Sequence, residues 1–167
     1  MTRNAQWDLG QEAARDIAAS LNVLLADSFV LLQKTKGCRW HVSGPYVQSY
    51  QLLFRAFEEQ INATIDDIAE RIRRIGSTAL SSMGELCRLR RLFDNDHSLS
   101  APGMLAQLQD DNLQLAGYLR ETYFLCDGYG DVATTNHLEK WIDDAEGRAR
   151  YLFAAAQPIR GADKETT

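Results

Sequence analysis

The residues best suited to chemistry are two acidic side chains four positions apart, Asp66 and Glu70. In a helix this spacing places both carboxylates on one face, a single turn apart. Carboxylate oxygens are suitable ligands for hard or borderline metal cations. The pair therefore predicts either a cation-binding face or, equally, a solvated helix face that carries ion pairs.

Other residues that could bind metals or act as nucleophiles are scattered along the chain. The cysteines are Cys38, Cys87 and Cys126; they lie far apart without a CxxC pair, which is typical of free thiols in a reducing cytoplasm. His97 and His137 have no partner at a spacing that would form a metal site. The sequence gives no further ligand cluster.

The composition is that of one ordinary soluble domain. Its 167 residues, 45% apolar and 25% charged, are enough to bury a core without disulfides. The net charge of −5 argues against the whole domain binding nucleic acid electrostatically. No apolar run approaches the ~20 residues that span a bilayer, and the first ten residues lack an apolar signal core. We expect a cytoplasmic protein with no membrane partner.

The elements that must position these residues are helices, because apolar residues recur at steps of three and four almost throughout. The first helix is expected over about residues 9–37, followed by a break from Gly37 to Pro45. The second helix has an apolar stripe from Phe54 to Ile75, and Gly76 is expected to end it.

The second half of the chain shows three helix starts. A capping box at Ser82 predicts a short helix over about residues 82–92. Ser100, followed by a first-turn proline, begins a third long helix that ends at residues 128–130. Asp131 is expected to cap the fourth.

The lengths of the connections predict the topology. Short turns make neighbouring helices antiparallel, whereas the long link between the second and third helices makes those two parallel. We therefore expect an all-α, ferritin-like four-helix bundle with one long crossover that carries a short extra helix. Residues 9–157 form this domain, with tails at 1–8 and 158–167.

Three motifs together resemble a known family. They are KGCRWHVSG over residues 36–44, D-x-x-x-E-R-I over 66–72 and GDVAT over 130–134. In this order and spacing they resemble the Dps proteins, mini-ferritins that protect DNA in starved bacteria, over roughly residues 21–153. The resemblance implies a hollow cage of twelve subunits that takes up Fe(II), oxidises it with hydrogen peroxide and stores ferric oxide.

The resemblance also implies a di-iron site between subunits. One subunit supplies two histidines and an acid, and its partner supplies an Asp and a Glu. Asp66 and Glu70 match the partner's pair, but Arg39, Gln51 and Arg55 stand where the other ligands are expected. Beside them lies Trp40, whose family counterpart is next to the iron and which is expected to pack rather than react.

These replacements change the chemistry expected at the site. A guanidinium is always protonated and offers only donors, so Arg39 and Arg55 cannot ligate a cation. They could instead pair with Asp66 and Glu70 of a neighbouring subunit, so that salt bridges replace the ferroxidase centre. Two functions stay open: an iron-storing cage with a weakened site, or a non-enzymatic protective cage. Whether the chain is an enzyme is open for the same reason.

Helical-wheel arithmetic places a broad polar stripe on the second helix, away from its apolar core face. The stripe is either a solvated face that carries ion pairs or, as the family resemblance implies, a subunit interface. Its members are Gln51, Arg55, Glu58, Asn62, Asp66 and Arg73.

Two other candidate sites have simpler explanations. His41, near Cys38, could supply a relocated metal ligand, or it could be a loop histidine beside a buried thiol. Asp127 and Asp131 lie near the start of the fourth helix, where the family's acidic threefold pores admit cations. Asp131 is also explained as a helix cap.

An arginine cluster near the crossover could form a DNA-binding patch, or it could complement the end of the second helix and solvate the short helix. Twelve copies at −5 each would carry about −60, which opposes binding to a polyanion. We therefore expect weak or no DNA binding. The cluster consists of Arg71, Arg73, Arg74, Arg88, Arg90 and Arg91.

Overall fold

A computed structural model describes residues 9–94 and 99–157 of the chain. Over these residues the fold consists of five helices without strands, which confirms the all-α prediction. Four long helices form the bundle, in which α4 packs along α5, α1 along α2, and α4 against α1. The helices are α1 (Gly10–His41), α2 (Val47–Arg74), α3 (Met83–Leu89), α4 (Ala101–Gly128) and α5 (Val132–Ala156).

The helix ends follow the local signals in the sequence. The Ser82 hydroxyl accepts a hydrogen bond from the Glu85 amide at 3.2 Å, and the Ser100 hydroxyl accepts one from the Gly103 amide. At the end of α2, Gly76 adopts φ +85°, a conformation that side chains with a Cβ avoid. Since α3 lies in the link between α2 and α4 and packs on α1, the predicted crossover with its short helix is confirmed.

The prediction that the first helix breaks at Gly37 is wrong. Helix α1 continues through Gly37 to His41, because the buried Cys38 and Val42 hold its last turns on the core. This packing outweighs the ~1 kcal/mol that a glycine costs inside a helix. The real break is at Gly44, where φ is +107°. His41 is therefore the last residue of α1 and not a loop histidine.

The bundle core is built from the apolar stripes of the long helices. Their largest fully buried side chains include Ile17, Leu21, Phe54, Ile68 and Trp141. Although the sequence has no unbroken apolar run long enough to span a bilayer, helix α1 as a whole is long and apolar enough to meet the usual criteria for crossing a membrane. A core helix meets the same criteria, and most of the apolar stretch of α1 is buried within this bundle.

Three sequence predictions fall outside the residues that the structure describes. These are the two tails, 1–8 and 158–167, and His97.

Candidate functional site

The predicted site residues on α2 lie along one exposed surface. Gln51, Arg55, Asp66 and Glu70 are all exposed, and we call them the α2 face. Arg55 and Asp66 are eleven residues apart, which corresponds to about 16 Å along a helix. A single chain therefore cannot bring its arginine into contact with its own two acids. A joint site would need a second subunit.

Arg39 is held by an acid of its own chain. Its guanidinium donates from Nε to Oε1 of Glu58 at 2.6 Å and from Nη2 to Oε2 at 3.3 Å. The ammonium of Lys36 lies 3.7 Å from the same carboxylate. The hydrogen bond to Glu58 raises the pKa of Arg39. The position expected to hold a metal ligand thus carries a permanent cation with a fixed counter-ion.

The prediction that Glu58 belongs to an exposed polar stripe is wrong. Glu58 is only 8% exposed, because the last turns of α1 extend over it and supply its two cationic partners. The other five residues of that stripe are exposed, as predicted. Sequence reasoning placed Glu58 on the stripe but missed its pairing with Arg39, which lies nineteen residues away on another helix.

The side chains beside Arg39 do not form a relocated ligand pair in the chain. His41 Nδ1 forms a 2.8 Å hydrogen bond with the Gly37 carbonyl, within the same helix. Burial raises the pKa of Cys38 to about 11, so this thiol is protonated at neutral pH and is a poor metal ligand. Trp40 is 58% exposed, which leaves most of the indole available to another molecule.

The donors at this position do not fit a di-iron centre. Iron sites of this class use imidazole and carboxylate ligands, whereas Arg39 and Arg55 offer only N–H donors. Among residues 9–94 and 99–157, no three His, Cys, Asp or Glu side chains are grouped closely enough to hold a metal ion. Asp66 and Glu70 are thus two carboxylates without further ligands in the part of the chain that the structure describes.

At the α4–α5 turn, Asp131 serves the fold. It is 4% exposed and accepts hydrogen bonds from the Arg71 guanidinium at 2.9 Å and from the Thr134 amide at 3.1 Å. The Thr134 hydroxyl bonds the other carboxylate oxygen. This confirms Asp131 as the cap of α5. Asp127, the second acid suggested for a pore, is exposed.

Most arginines near the crossover are already paired. The guanidinium of Arg71 bonds Asp131, Arg90 bonds Asp94 at 3.2 Å, and Arg91 bonds Asp27 at 2.8 Å. These pairings leave little free positive charge for a polyanion.

The remaining three arginines differ in their contacts. Arg74 lies 3.5 Å from Glu70, and Arg73 donates to the Ser77 carbonyl at 2.6 Å. Arg88 is exposed and has no ion pair within the described part of the chain.

Buried charges that sequence reasoning did not single out include Asp27, Lys34 and Asp111. Asp27 interrupts the apolar run LLADSFVLL, and an acid in such a run must find a buried partner. Its carboxylate accepts the amides of Arg91 and Leu92 at 2.6 and 3.0 Å. The acid within this apolar run is the feature of the sequence that indicates a buried, bonded carboxylate.

Comparison with known proteins places the fold in a family. The model of the ferritin-like domain family matches residues 18–160. An uncharacterized low temperature-induced protein of Nostoc sp. is 35% identical over 155 residues, which cover 90% of this chain and 87% of the relative. A DNA protection during starvation protein of Agrobacterium fabrum is 28% identical, over 87% of this chain and 78% of the relative.

Solved structures show the same architecture. Dps from Thermosynechococcus elongatus superposes with a TM-score of 0.86 at 15% identity, over 91% of this chain and 97% of that one. A Dps protein from Bacillus brevis gives 0.85 at 23% identity, over 89% and 99%. At these identities the structures support the fold, and the sequence relatives support the relationship. The chain therefore belongs to the ferritin-like family, as a member of the Dps proteins.

Proposed function

We propose that this chain forms a hollow homo-oligomeric cage of the Dps type, of twelve subunits, that stores iron in the cytoplasm and protects against oxidative stress. In this proposal the position between subunits no longer works as a ferroxidase centre. The observation that supports it most directly is the Arg39–Glu58 pair, which puts a fixed cation where the family resemblance implies a histidine ligand. Iron is cargo in this account.

The charges on α2 support the docking of a second copy. Arg55 lies toward the start of the helix, and Asp66 and Glu70 lie toward its end, all of them exposed. In a twofold interface each residue meets its complement on the other subunit, so two antiparallel α2 helices would bring Arg55 of each onto the acids of the other. Each subunit would thereby contribute half of two equivalent salt-bridge networks.

The same charges make rapid iron oxidation at this interface unfavourable. Fe(II) would have to compete with guanidinium groups for Asp66 and Glu70, and permanent cations repel it at short range. We infer that iron enters the cavity and is oxidised slowly, or at the surface of mineral already formed. Exposed acids such as Asp127 would attract the cation without oxidising it.

A second candidate function is a protective cage that does not handle iron. The Arg39–Glu58 pair favours it equally, since a salt bridge between α1 and α2 strengthens a shell without any metal chemistry. The two candidates differ in the amount of iron that a cage retains after loading and desalting. A storage cage should retain many ions per subunit, whereas a cage that does not handle iron should retain no more than a control protein without a cavity.

The proposal is tested by adding Fe(II) without oxygen, then hydrogen peroxide, and following ferric absorbance. The variant Asp66→Ala/Glu70→Ala removes the two acids, and Glu139→Ala/Asp143→Ala removes an exposed pair of the same spacing on α5. We expect the initial oxidation rate to be slow and equal in the native protein and both variants. A fast native rate that only Asp66→Ala/Glu70→Ala abolishes would show a working ferroxidase and contradict the proposal.

DNA binding is tested separately by gel shift with linear duplex DNA at physiological salt. We expect no shift, because most arginines around the crossover are paired within the chain and the whole cage is acidic.

A further inference from the structure

Each of the four long helices contributes a buried or half-buried polar side chain that contacts a side chain of another helix. Lys34 comes from α1, Gln60 from α2, Asp111 and Asn112 from α4, and Arg148 from α5. We call these five residues the interior polar centre. It is separate from the α2 face, and the proposed function does not use it.

The first half of this centre is an ion pair. Lys34 Nζ lies 2.6 Å from Asp111 Oδ2, and the two side chains are 7% and 3% exposed. The ammonium also donates to the Phe93 carbonyl at 2.8 Å, which ties the crossover to α1. Gln107 donates to the other carboxylate oxygen at 3.4 Å.

The second half is a buried guanidinium that lacks direct contact with a carboxylate among the described residues. Arg148 is 3% exposed and donates from Nε to Asn112 and from Nη1 to Gln60, both at 2.7 Å. The Gln60 amide donates in turn to Asp144 at 3.0 Å. Burial lowers the pKa of Arg148 to about 10, so it is still charged at neutral pH.

The positive and negative charges of the interior polar centre balance as they do in a metal centre, but with fewer carboxylates and with univalent cations. In ferritin-like di-iron proteins, four inward carboxylates and two histidines from four helices balance two divalent cations. Here two carboxylates, Asp111 and Asp144, balance two univalent side-chain cations. The residues present do not fit a metal, since a cation already fills each half.

We propose that the Lys34 ammonium and the Arg148 guanidinium take the place of metal ions inside each bundle. Each subunit then carries its own internal counter-ions, and it folds and stays folded without bound metal. The proposal is independent of how the assembled cage handles iron, because it concerns the interior of one subunit.

Lys34 allows a clearer test than Arg148, because substituting it removes the cation and leaves the Asp111 carboxylate in place. The variant Lys34→Glu places a carboxylate beside Asp111 and recreates a site that needs a cation. Lys34→Met is the matched control, since it leaves Asp111 unpaired but adds no ligand. Lys34→Met/Asp111→Asn removes both charges. Each is compared with the native cage by thermal melting, with EDTA and with millimolar Mn²⁺, which suits carboxylate ligands.

The native melting temperature should be the same with EDTA and with Mn²⁺. Lys34→Met should melt roughly 10 °C lower, because it strands a buried charge, and Mn²⁺ should not restore it. The double variant should recover most of that loss. Lys34→Glu should be the least stable in EDTA and should gain several degrees in Mn²⁺, or fold only when Mn²⁺ is present.

Lowering the pH provides a second readout on Lys34→Met. Burial raises the pKa of Asp111, and the nearby Asp110 raises it further, while Lys34 and Gln107 lower it. Without Lys34, the unpaired carboxylate of Asp111 destabilises the folded state. This destabilisation should diminish as Asp111 takes up a proton. The facing thiol of Cys38 is protonated in this range and does not contribute. Lys34→Met should therefore approach the native melting temperature as the pH is lowered from 7.

The inference is overturned by any of three results. EDTA could lower the native melting temperature, the double variant could be no more stable than Lys34→Met, or Mn²⁺ could leave a folded Lys34→Glu protein unchanged. Failure of the cage to store iron would not affect any of these results.

Discussion

The interior polar centre and the α2 face contain the same kinds of side chain but use them differently. Lys34, Asp111 and Arg148 are buried, and each bonds a neighbour within the chain. Arg55 and Asp66 are exposed and make no ion pair within the described residues, and Glu70 meets only the exposed Arg74 at 3.5 Å. Charges of the first kind stabilise one subunit. Charges of the second kind have no such role and are available to a second molecule.

The energetic consequence is a large asymmetry between the two regions. Removing one member of a buried charged pair strands the other away from water, which costs several kcal/mol. Removing an exposed charge costs little, because water replaces the lost partner. Substitutions in the interior should therefore change subunit stability, and substitutions on the α2 face should change assembly.

The largest effect is expected for Asp27→Ala. This substitution leaves two backbone amides without their buried acceptor and removes the nearer of two carboxylates at Arg91, whose guanidinium keeps only Glu121 at 3.6 Å. We expect a loss of about 3–5 kcal/mol in the free energy of unfolding, measured by urea denaturation. The control Asp94→Ala removes an exposed partner of Arg90 and should cost at most about 0.5 kcal/mol. Equal losses in both variants would contradict the comparison.

An intermediate effect is expected for the pair between α1 and α2. Arg39→Ala should lower the free energy of unfolding by less than Asp27→Ala does, because Glu58 then keeps only the more distant Lys36 as a cationic neighbour. A double-mutant cycle with Glu58→Gln measures the coupling between the two side chains, again by urea denaturation. We expect the two losses to be non-additive, beyond the error of the cycle. Additive losses would mean that the pair does not contribute as a unit.

A smaller effect on unfolding is expected for Arg55→Glu, with a change of at most about 0.5 kcal/mol in one subunit. Its effect should appear in assembly, since the proposed interface would then place like charges together. Light scattering should show smaller particles than the native cage. Adding Asp66→Arg/Glu70→Arg exchanges both signs and should restore the native mass.

The control for that experiment is Arg150→Glu, which makes the same charge change on the exposed side of α5. It should leave the native mass intact. A native particle mass in Arg55→Glu, or a mass that stays small after the sign exchange, would contradict the proposed interface.

The smallest effect is expected where an exposed pair joins α1 to the α4–α5 turn. The Tyr129 hydroxyl donates to Asp16 at 2.7 Å and, with Arg15, lowers the pKa of Asp16 below 3.8. Because the folded pKa is depressed, this stabilisation is present above pH 3.8 and disappears as the pH falls through the folded pKa.

Tyr129→Phe should raise the pKa of Asp16 toward 3.8 in an NMR titration of the carboxyl group. The exposed Tyr151, on α5, provides the control: Tyr151→Phe should leave that titration unchanged. An unchanged pKa in Tyr129→Phe would show that the hydrogen bond is not made in solution.

The sequence predicted those features that depend on near neighbours. Ser82, Ser100 and Asp131 each bond an amide three residues ahead, and Gly76 ends α2 through its own backbone conformation, so local patterns were enough. The crossover followed from connection lengths, and the family resemblance followed from three motifs in order.

The features that were missed depend on residues far apart in the chain. Glu58 bonds a residue nineteen positions away, and Lys34 pairs with Asp111 on a different helix. A helical wheel shows which way a side chain points, but not which helix covers it. The same limit explains Gly37, where packing from α1's neighbours extends a helix that local propensity would end.

The kinetics of iron oxidation decide whether side-chain cations have replaced the ferroxidase centre. Initial rates of Fe(II) oxidation by hydrogen peroxide are compared in the native cage and in Arg39→His/Gln51→His/Arg55→Asp, which supplies the missing ligands next to Asp66 and Glu70. Without metal the triple variant should assemble poorly, because Arg55→Asp places like charges at the proposed interface as Arg55→Glu does. Once bound Fe(II) restores the native mass, we predict a rate at least about tenfold above the slow native rate. A native rate already as fast as that of the triple variant would contradict the claim.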